Sequence, residues 1–502
     1  MLEGDDRRMP GRALTAEDEH MWDENNRSLN GPFEPWHQEA DTFDLEVVGK
    51  IPLELNGALY RTSSNPHVQP PHPNRYHWFD GDGMIYGVFL RDGRAHASSR
   101  WVRTAAFKVE EENGKAVYGS ILNGGVPVDF SLDPPMKNPA NTHVTLFDDR
   151  LLVFTEVDLP HELHPTTLET RGQYDYHGDV SGPVTAHWKT DPRNGDMLFY
   201  GVSGSTLTWY HANSHGKLLD SHQFDMGVAC FLHDFVATED YAVFMITPTL
   251  FTGPEDLMAG KPSVVWDPET SNGTRFAVLD RHSGAVTFID GGGAYSGTHF
   301  YNAYQEGSSI VIDGHRTDRW GWLSEESAAI APGQDCNEWF DSMVAKPWRW
   351  VLDLSSQRLT RDYQINDVVG EFPRINDEYA LRKHRFGYYA TTQGTDRWLT
   401  DGLAKHDYQG DLTATIPNAE LVSPSEPVFV PRDNATSEDD GWMMSLWWNP
   451  FTRLTEMLIH DALHFDAEPV ARIKLNQRVP MGFHGNWIDG AAIEAAVSSQ
   501  TV

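Results

Sequence analysis

From residue 43 onward the chain alternates short apolar runs with tight-turn dipeptides. Met84-Ile85-Tyr86-Gly87-Val88-Phe89-Leu90 stops at Asp92-Gly93, and Val144-Thr145-Leu146-Phe147 turns at Asp148-Asp149 into Leu151-Leu152-Val153-Phe154. His187-Trp188-Lys189 runs to Asn194-Gly195 and returns as Met197-Leu198-Phe199-Tyr200. Phe276-Ala277-Val278-Leu279 turns at Ser283-Gly284 into Val286-Thr287-Phe288-Ile289. Asn-Gly and Asp-Gly supply the left-handed residues that two-residue hairpins demand, so hairpin after hairpin is predicted. Only 255–259 and 324–330 carry a pattern for short helices. Residues 1–41 are rich in charge, Pro and Gly without a period, and read as an arm that packs on the body or is partly disordered. Regular structure is expected to begin in the stretch from Phe43 to Val48 and to resume between Ile51 and Arg61.

An all-β chain of this length must manage its sheet edges, either as a propeller or as tandem sandwiches. No crisp repeat separates the two. No composition break or linker interrupts 42–502, which favours one domain.

Composition narrows the partners. Of 502 residues, 39% are hydrophobic, enough for a sizeable core. Asp and Glu number 73 against 39 Lys and Arg, a formal charge of −34. Such a surface repels nucleic acid and anionic membranes. Cys230 and Cys336 make no disulfide framework and read as plain thiols of a reducing compartment. Residues 1–30 lack a signal-peptide pattern, and no apolar run approaches the roughly 20 residues that span a bilayer. A cytoplasmic location is the expectation.

Candidate chemistry lies in histidines. Near the C-terminus, Pro480-Met481-Gly482-Phe483-His484-Gly485-Asn486-Trp487 sets an imidazole among glycines and aromatics. Gly485 leaves space beside the ring, and Phe483 and Trp487 can screen it from water. Among 23 histidines one context says little, because most are surface or satisfied core residues. Three more contexts stand out. They are His187 on a strand entering a turn, His233 in Phe231-Leu232-His233-Asp234-Phe235, and His299 in Thr298-His299-Phe300-Tyr301-Asn302. Positions so far apart meet only if the fold brings distant strands to one axis, as the inner strands of propeller blades do.

The ordered set of motifs resembles the carotenoid cleavage oxygenase family, which includes stilbene- and phenylpropenoid-cleaving members. The resemblance covers about 42–495 and rests on Val48-Gly49-Lys50-Ile51-Pro52, His77-Trp78-Phe79-Asp80-Gly81-Asp82-Gly83, Asn141-Thr142, Thr185-Ala186-His187, His233-Asp234-Phe235, His299-Phe300-Tyr301-Asn302-Ala303 and Gly482-Phe483-His484-Gly485. It implies a seven-bladed β-propeller with Fe(II) on its axis and a cap of loops and short helices. The implied iron ligands are His187, His233, His299 and His484. The carboxylates implied to steady them are Glu156, Glu371 and Glu426. Four neutral imidazoles suit a first-row metal and leave two octahedral positions for O2 and a further ligand.

The implied reaction is O2-dependent cleavage of a conjugated alkene to carbonyl products. The substrate is expected to be an apocarotenoid or an aryl-alkene, with at most weak membrane contact, since Glu255 and Asp256 interrupt the apolar loop 250–258. In the stilbene cleavers a tyrosine and a lysine hold a phenol. Those positions fall here at Trp101 and Thr155, a departure that removes the phenol anchor and leaves the two residues either as tunnel lining or as ordinary strand packing. His77 is expected as a packed strand residue, residues 79–83 as a turn, and Trp348, Trp350, Trp447 and Trp448 as core. An iron-dependent isomerohydrolase and a non-catalytic propeller remain as rivals.

Overall fold

The computed structural model describes residues 26–118, 129–259, 261, 263–320, 344–394, 399–417 and 420–499. The helix expected over 324–330 and Cys336 lie outside them. Local turn chemistry acts as expected. Asp92 and Gly93 take φ of 52° and 72° and join Asp82–Arg91 to Arg94–Trp101. Asp148 and Asp149 take 52° and 53° and join His143–Phe147 to Arg150–Phe154. Left-handed residues at both central positions match the twist of the paired strands. The helix expected over 255–259 is present as Pro254–Met258.

The strands assemble into seven sheets of four or five strands, plus a two-stranded ribbon of Thr249–Phe251 and Val264–Trp266. These sheets are the blades of a seven-bladed propeller. Blade 1 is built on Gly57–Asn65, and blades 2 to 7 start from inner strands His143–Phe147, Lys189–Thr190, Phe235–Ala237, Ser296–Glu306, Gly370–Arg374 and Val428–Pro431. Inner strands touch across blades, as Phe235–Ala237 does with Ser296–Glu306 and Gly485–Asp489 does with His143–Phe147.

The two ends of the chain close the ring. Gly485–Asp489 pairs with Gly57–Asn65 as the innermost strand of blade 1. Val47–Gly49 pairs with Ala471–Lys474 as the outer edge of blade 7. Each closing strand thus comes from the opposite end of the sequence, and no blade at the junction is left with an open inner edge.

The core is distributed between neighbouring blades. Leu59, Met84 and Tyr86 of blade 1 pack on Val428, Met444 and Leu446 of blade 7. Phe235 and Phe244 of blade 4 pack on Leu198 and Trp209 of blade 3. Each fully buried large side chain contributes about 1.5–3 kcal/mol. Between blades 5 and 6 the apolar cluster shrinks to Tyr301, Ile375, Tyr389 and Ala404. There Arg349 forms a two-pronged pair with fully buried Asp313 at 2.6 and 2.7 Å, so packing is supplemented by charge. Trp350 and Trp447 are core, while Trp348 and Trp448 are half-buried.

Two placements differ from expectation. His77 is not in a strand: it precedes the one-turn helix Trp78–Asp80, and its Nδ1 accepts the Phe79 N–H at 3.2 Å. His187 lies just before Lys189–Thr190, not on it.

Candidate metal centre and substrate cavity

Four blades each deliver one histidine to the axis. His187, His233 and His484 sit immediately before the inner strands of blades 3, 4 and 1, and His299 lies within that of blade 5. One nitrogen from each falls within 4.8 Å of the others. His187 Nε2 is 3.1 Å from His233 Nε2, which is 2.9 Å from His299 Nε2. First-row metal–imidazole bonds of about 2.0–2.1 Å at right angles put neighbouring nitrogens about 2.9 Å apart. The donor set therefore fits a bound ion.

The remaining blades supply the carboxylates. Glu371, in the inner strand of blade 6, accepts from His299 Nδ1 at 2.7 Å, from the Thr298 hydroxyl, and from the Phe372 N–H at 2.6 Å. Glu426, just before the inner strand of blade 7, accepts from His484 Nδ1 at 2.8 Å and from the Gly485 N–H at 3.0 Å. Its second oxygen also meets Arg374 at 3.3 Å and Arg61 at 3.6 Å. Glu156, beyond the second strand of blade 2, brings Oε1 to 2.6 Å from His233 Nδ1. That contact is close but off the direction of a hydrogen bond, and neither atom has another partner. In each pair Nδ1 faces a carboxylate and Nε2 is left for the axis, the usual way a ligand ring is oriented.

His187 is held differently. Its N–H donates to Thr185 Oγ1 at 3.0 Å, and the preceding carbonyl, of Ala186, accepts from His143 Nδ1 at 2.8 Å. Burial, together with the neighbouring imidazoles, holds the His187 ring well below the ordinary histidine range. Burial also pushes His484 down to about 4, against Glu426, so both rings are neutral donors at pH 7. At His299 burial acts the same way, but the Glu371 carboxylate outweighs it and the shift is upward. Burial disfavours the charged forms of Glu371 and Glu426, yet His299, His315 and the Thr298 hydroxyl on the first, and His484, Arg374 and Arg61 on the second, hold both far below the carboxylate range.

Above the cage lies a largely apolar cavity of about 300 Å³. His233 and His299 form part of its wall, and aromatic side chains such as Phe33, Trp78, Phe231 and Phe483 form much of the rest. Trp78 and Phe483 stack with centroids 4.5 Å apart. Phe483 thus screens the site, as expected, while Trp487 faces a different space on the other side of the cage. Gly485 serves the backbone instead of the ring: a Cβ there would lie 2.4 Å from the Tyr60 carbonyl oxygen.

Thr155 lines the cavity beside Glu156. Trp101 does not: it is buried in blade 1, 5.8 Å from the Phe107 ring, and belongs to the blade 1–blade 7 core. The cation in the cavity wall is Lys137, in Lys137-Asn138-Pro139-Ala140-Asn141-Thr142. Its Nζ lies 2.8 Å from both Asp82 and Glu110. Burial works against the ammonium, but the two carboxylates hold its pKa above the lysine range. The contribution of Lys137 was unreadable because its partners come from distant segments. Asp234 was also missed. It accepts from Lys189 Nζ at 2.7 Å and from the backbone N–H groups of Phe235 at 2.7 Å and Phe300 at 2.9 Å, tying blades 3, 4 and 5 together beneath the cage. Its position directly after His233 was the available signal.

Fold and site together define a propeller whose axis carries an all-histidine cage at the floor of an aromatic cavity. Residues 33–489 match the sequence profile of the retinal pigment epithelial membrane protein family, and the chain belongs to that family, the carotenoid cleavage oxygenases. Isoeugenol monooxygenase of Pseudomonas nitroreducens is 31% identical, over 92% of this chain and 98% of its own. Apocarotenoid-15,15'-oxygenase of Synechocystis is 29% identical, over 90% and 94%. The crystal structure of Pseudomonas brassicacearum lignostilbene dioxygenase superposes with a TM-score of 0.83 at 26% identity, covering 93% of this chain and 99% of that one. The relatives are alkene-cleaving oxygenases, and this chain is an enzyme of the same family. Among the described residues no helix is long and apolar enough to cross a membrane.

Proposed function

We propose that the chain is a non-haem Fe(II)-dependent oxygenase that cleaves the conjugated C=C bond of an aryl-alkene, a phenylpropenoid or stilbene, with O2 to give two carbonyl products. The carrying observation is that the histidine cage opens directly into a cavity walled by aromatic rings. Its volume, about 300 Å³, is at the small end of ligand pockets and suits one or two rings better than a long polyene. His187, His233, His299 and His484 hold the iron. Glu156, Glu371 and Glu426 fix the rings of His233, His299 and His484. Bound there, Fe(II) would supply the binding and activation of O2.

The chain's other residues position the alkene and exclude water. Face and edge contacts with Trp78, Phe79, Phe231 and Phe483 favour a flat conjugated substrate. Lys137 spends two of its three N–H donors on Asp82 and Glu110, and the third, with no further partner among the described residues, can serve an oxygen substituent in the cavity. The surrounding carboxylates outnumber the ammonium, so a phenolate gains little there. A phenol and its methyl ether both present an acceptor oxygen and are served alike.

Aerobic incubation of the Fe(II)-loaded protein with isoeugenol, a hydroxystilbene, its methyl ether and an apocarotenal, followed by mass spectrometry, tests the reading. Aldehydes from the aryl-alkenes are expected, with phenol and ether within about tenfold in kcat/KM, one step of 1.4 kcal/mol. Turnover of the apocarotenal alone, or an isomerised alcohol in place of aldehydes, would overturn it.

A further inference from the structure

The cage stands between two cavities on opposite sides. In blade 4, residues 230–233 wall the aromatic cavity, and Asp234, Val236 and Ala237 wall the second. In blade 5, Thr298 and His299 face the first, while His299 and residues 300–303 face the second. This second cavity, about 420 Å³, runs between the inner strands from His187, His299 and His484 to exposed Thr190, Pro192, Asp377 and Glu378. Its charged walls are Asp234, Asp377, Glu378 and Glu426 against Lys189 and Arg374. His143 and Asn486 add further polar atoms.

Arg374 links the ends of this passage. Its guanidinium pairs with buried Glu426 at 3.3 Å and with Asp377 at 3.1 Å, and Asp377 is 69% exposed. It also donates to the Gly485 carbonyl at 3.0 Å and to Asn486 Oδ1 at 2.9 Å. The acceptors that Arg374 holds, Asp377, Asn486, the Gly485 carbonyl and Glu426, thus line the passage from solvent to the carboxylate behind His484.

We propose that a divalent metal ion reaches the histidine cage through this polar axial channel, and that the aromatic cavity is left to the organic substrate. The inference rests on reading the cage as a metal site. The aromatic cavity is largely apolar, its carboxylates Asp80, Glu156 and Glu371 set among rings, so a hydrated dication passing through it meets a steeper desolvation cost. Along the channel the walls are polar and four acids outnumber two bases, so a hydrated dication is not stripped against apolar surface, and exposed Asp377 and Glu378 at the mouth raise the local cation concentration. The division also means that a bound substrate does not block loading or loss of the metal.

The test is the rate at which metal-free full-length protein takes up Co(II), followed anaerobically by the visible absorbance of the bound ion. Asp377→Lys with Glu378→Lys reverses charge at the exposed channel mouth. Phe251→Lys adds the same charge at the rim of the aromatic cavity, where Phe251 is 43% exposed. The double variant is expected to load about tenfold slower at low salt, to reach the same one-ion endpoint, and to recover as salt screens the charge. Phe251→Lys is expected to load at the rate of the unmodified protein. Slow loading confined to Phe251→Lys, or equal rates in all three proteins, would overturn the route. Absence of any uptake by the unmodified protein would instead overturn the reading of the cage.

Discussion

Three carboxylates face three ligand imidazoles, yet their surroundings differ and so do the expected costs of losing them. Glu426 is 2% exposed and shared by His484, Gly485, Arg61 and Arg374. Glu426→Gln leaves two buried guanidinium groups short of a counter-charge, a loss on the order of 3–5 kcal/mol in stability. Glu156 is partly solvated and meets one ring off the hydrogen-bond direction. Glu156→Gln is expected to leave the urea midpoint unchanged and to weaken metal binding at the low end of the roughly 10–100-fold range for outer partners. Urea melts beside metal titrations of the two variants check the order; equal melts would reject it. Asp82 gives a pH signature away from the cage. Burial opposes its charge, but Lys137 and His67 outweigh burial and hold its pKa at about 2. The unfolded value is about 3.9. The folded pKa is the lower one, so the contribution, about 2 kcal/mol, is complete above pH ~4 and is lost as pH falls towards 2. Urea midpoints of Asp82→Asn and the unmodified protein should differ most above pH 4 and converge in acid.

At the level of elements, the closing strand carries the sharpest steric demand. A Cβ on Gly485 would sit 2.4 Å from the Tyr60 carbonyl oxygen and 3.2 Å from the Arg61 Cα, both backbone atoms that cannot swing aside. Gly485→Ala should push Gly485–Asp489 off blade 1, displace His484, and lower both the melting temperature and metal retention. Gly293, with nothing within 4 Å of an added Cβ, is the control: Gly293→Ala should melt as the unmodified protein does. A Gly485→Ala variant that melts and loads normally would show that the clasp tolerates slack. The same strand shows what was legible in the sequence. Hairpins were readable because Asp92-Gly93 and Asp148-Asp149 encode their own turn geometry. The number of blades was not, since each blade is defined by neighbours far off in sequence and no repeat marks it. The histidine contexts and their glutamates were legible through resemblance, and the structure brings all of them together. Lys137 and His143 were not, because their roles exist only once distant strands meet, and Asp234 offered only its place directly after His233. Trp101, left open between tunnel lining and strand packing, is core because the face of Arg94–Trp101 that carries it packs towards blade 7.

At the scale of the whole molecule, the question is whether substrate arrives from water or from a bilayer. Near the cavity mouth Phe251, Met258 and Val265 are 43%, 50% and 49% exposed, an apolar rim on the ribbon and the helix Pro254–Met258. Burying what remains exposed of three such side chains would yield about 1 kcal/mol each. Against this stand Glu255 and Asp256 on the same helix, with Asp256 only partly offset by Lys261 at 2.7 Å, and a formal charge of −34 over the chain. A charge held at an anionic membrane surface is worth about 1 kcal/mol, unfavourable here for each uncompensated acid. The apolar gain exceeds the repulsion of these two acids by no more than about 1–2 kcal/mol, and stable anchoring requires a clear surplus. The protein is therefore expected to stay in the supernatant when spun with phosphatidylserine-containing vesicles at physiological salt. Glu255→Gln with Asp256→Asn removes the repulsion and leaves the rim intact, and should raise the bound fraction several-fold. Firm binding of the unmodified protein to anionic vesicles, undiminished by salt, would show that the apolar rim outweighs the charge and would reopen a membrane-held polyene as the substrate.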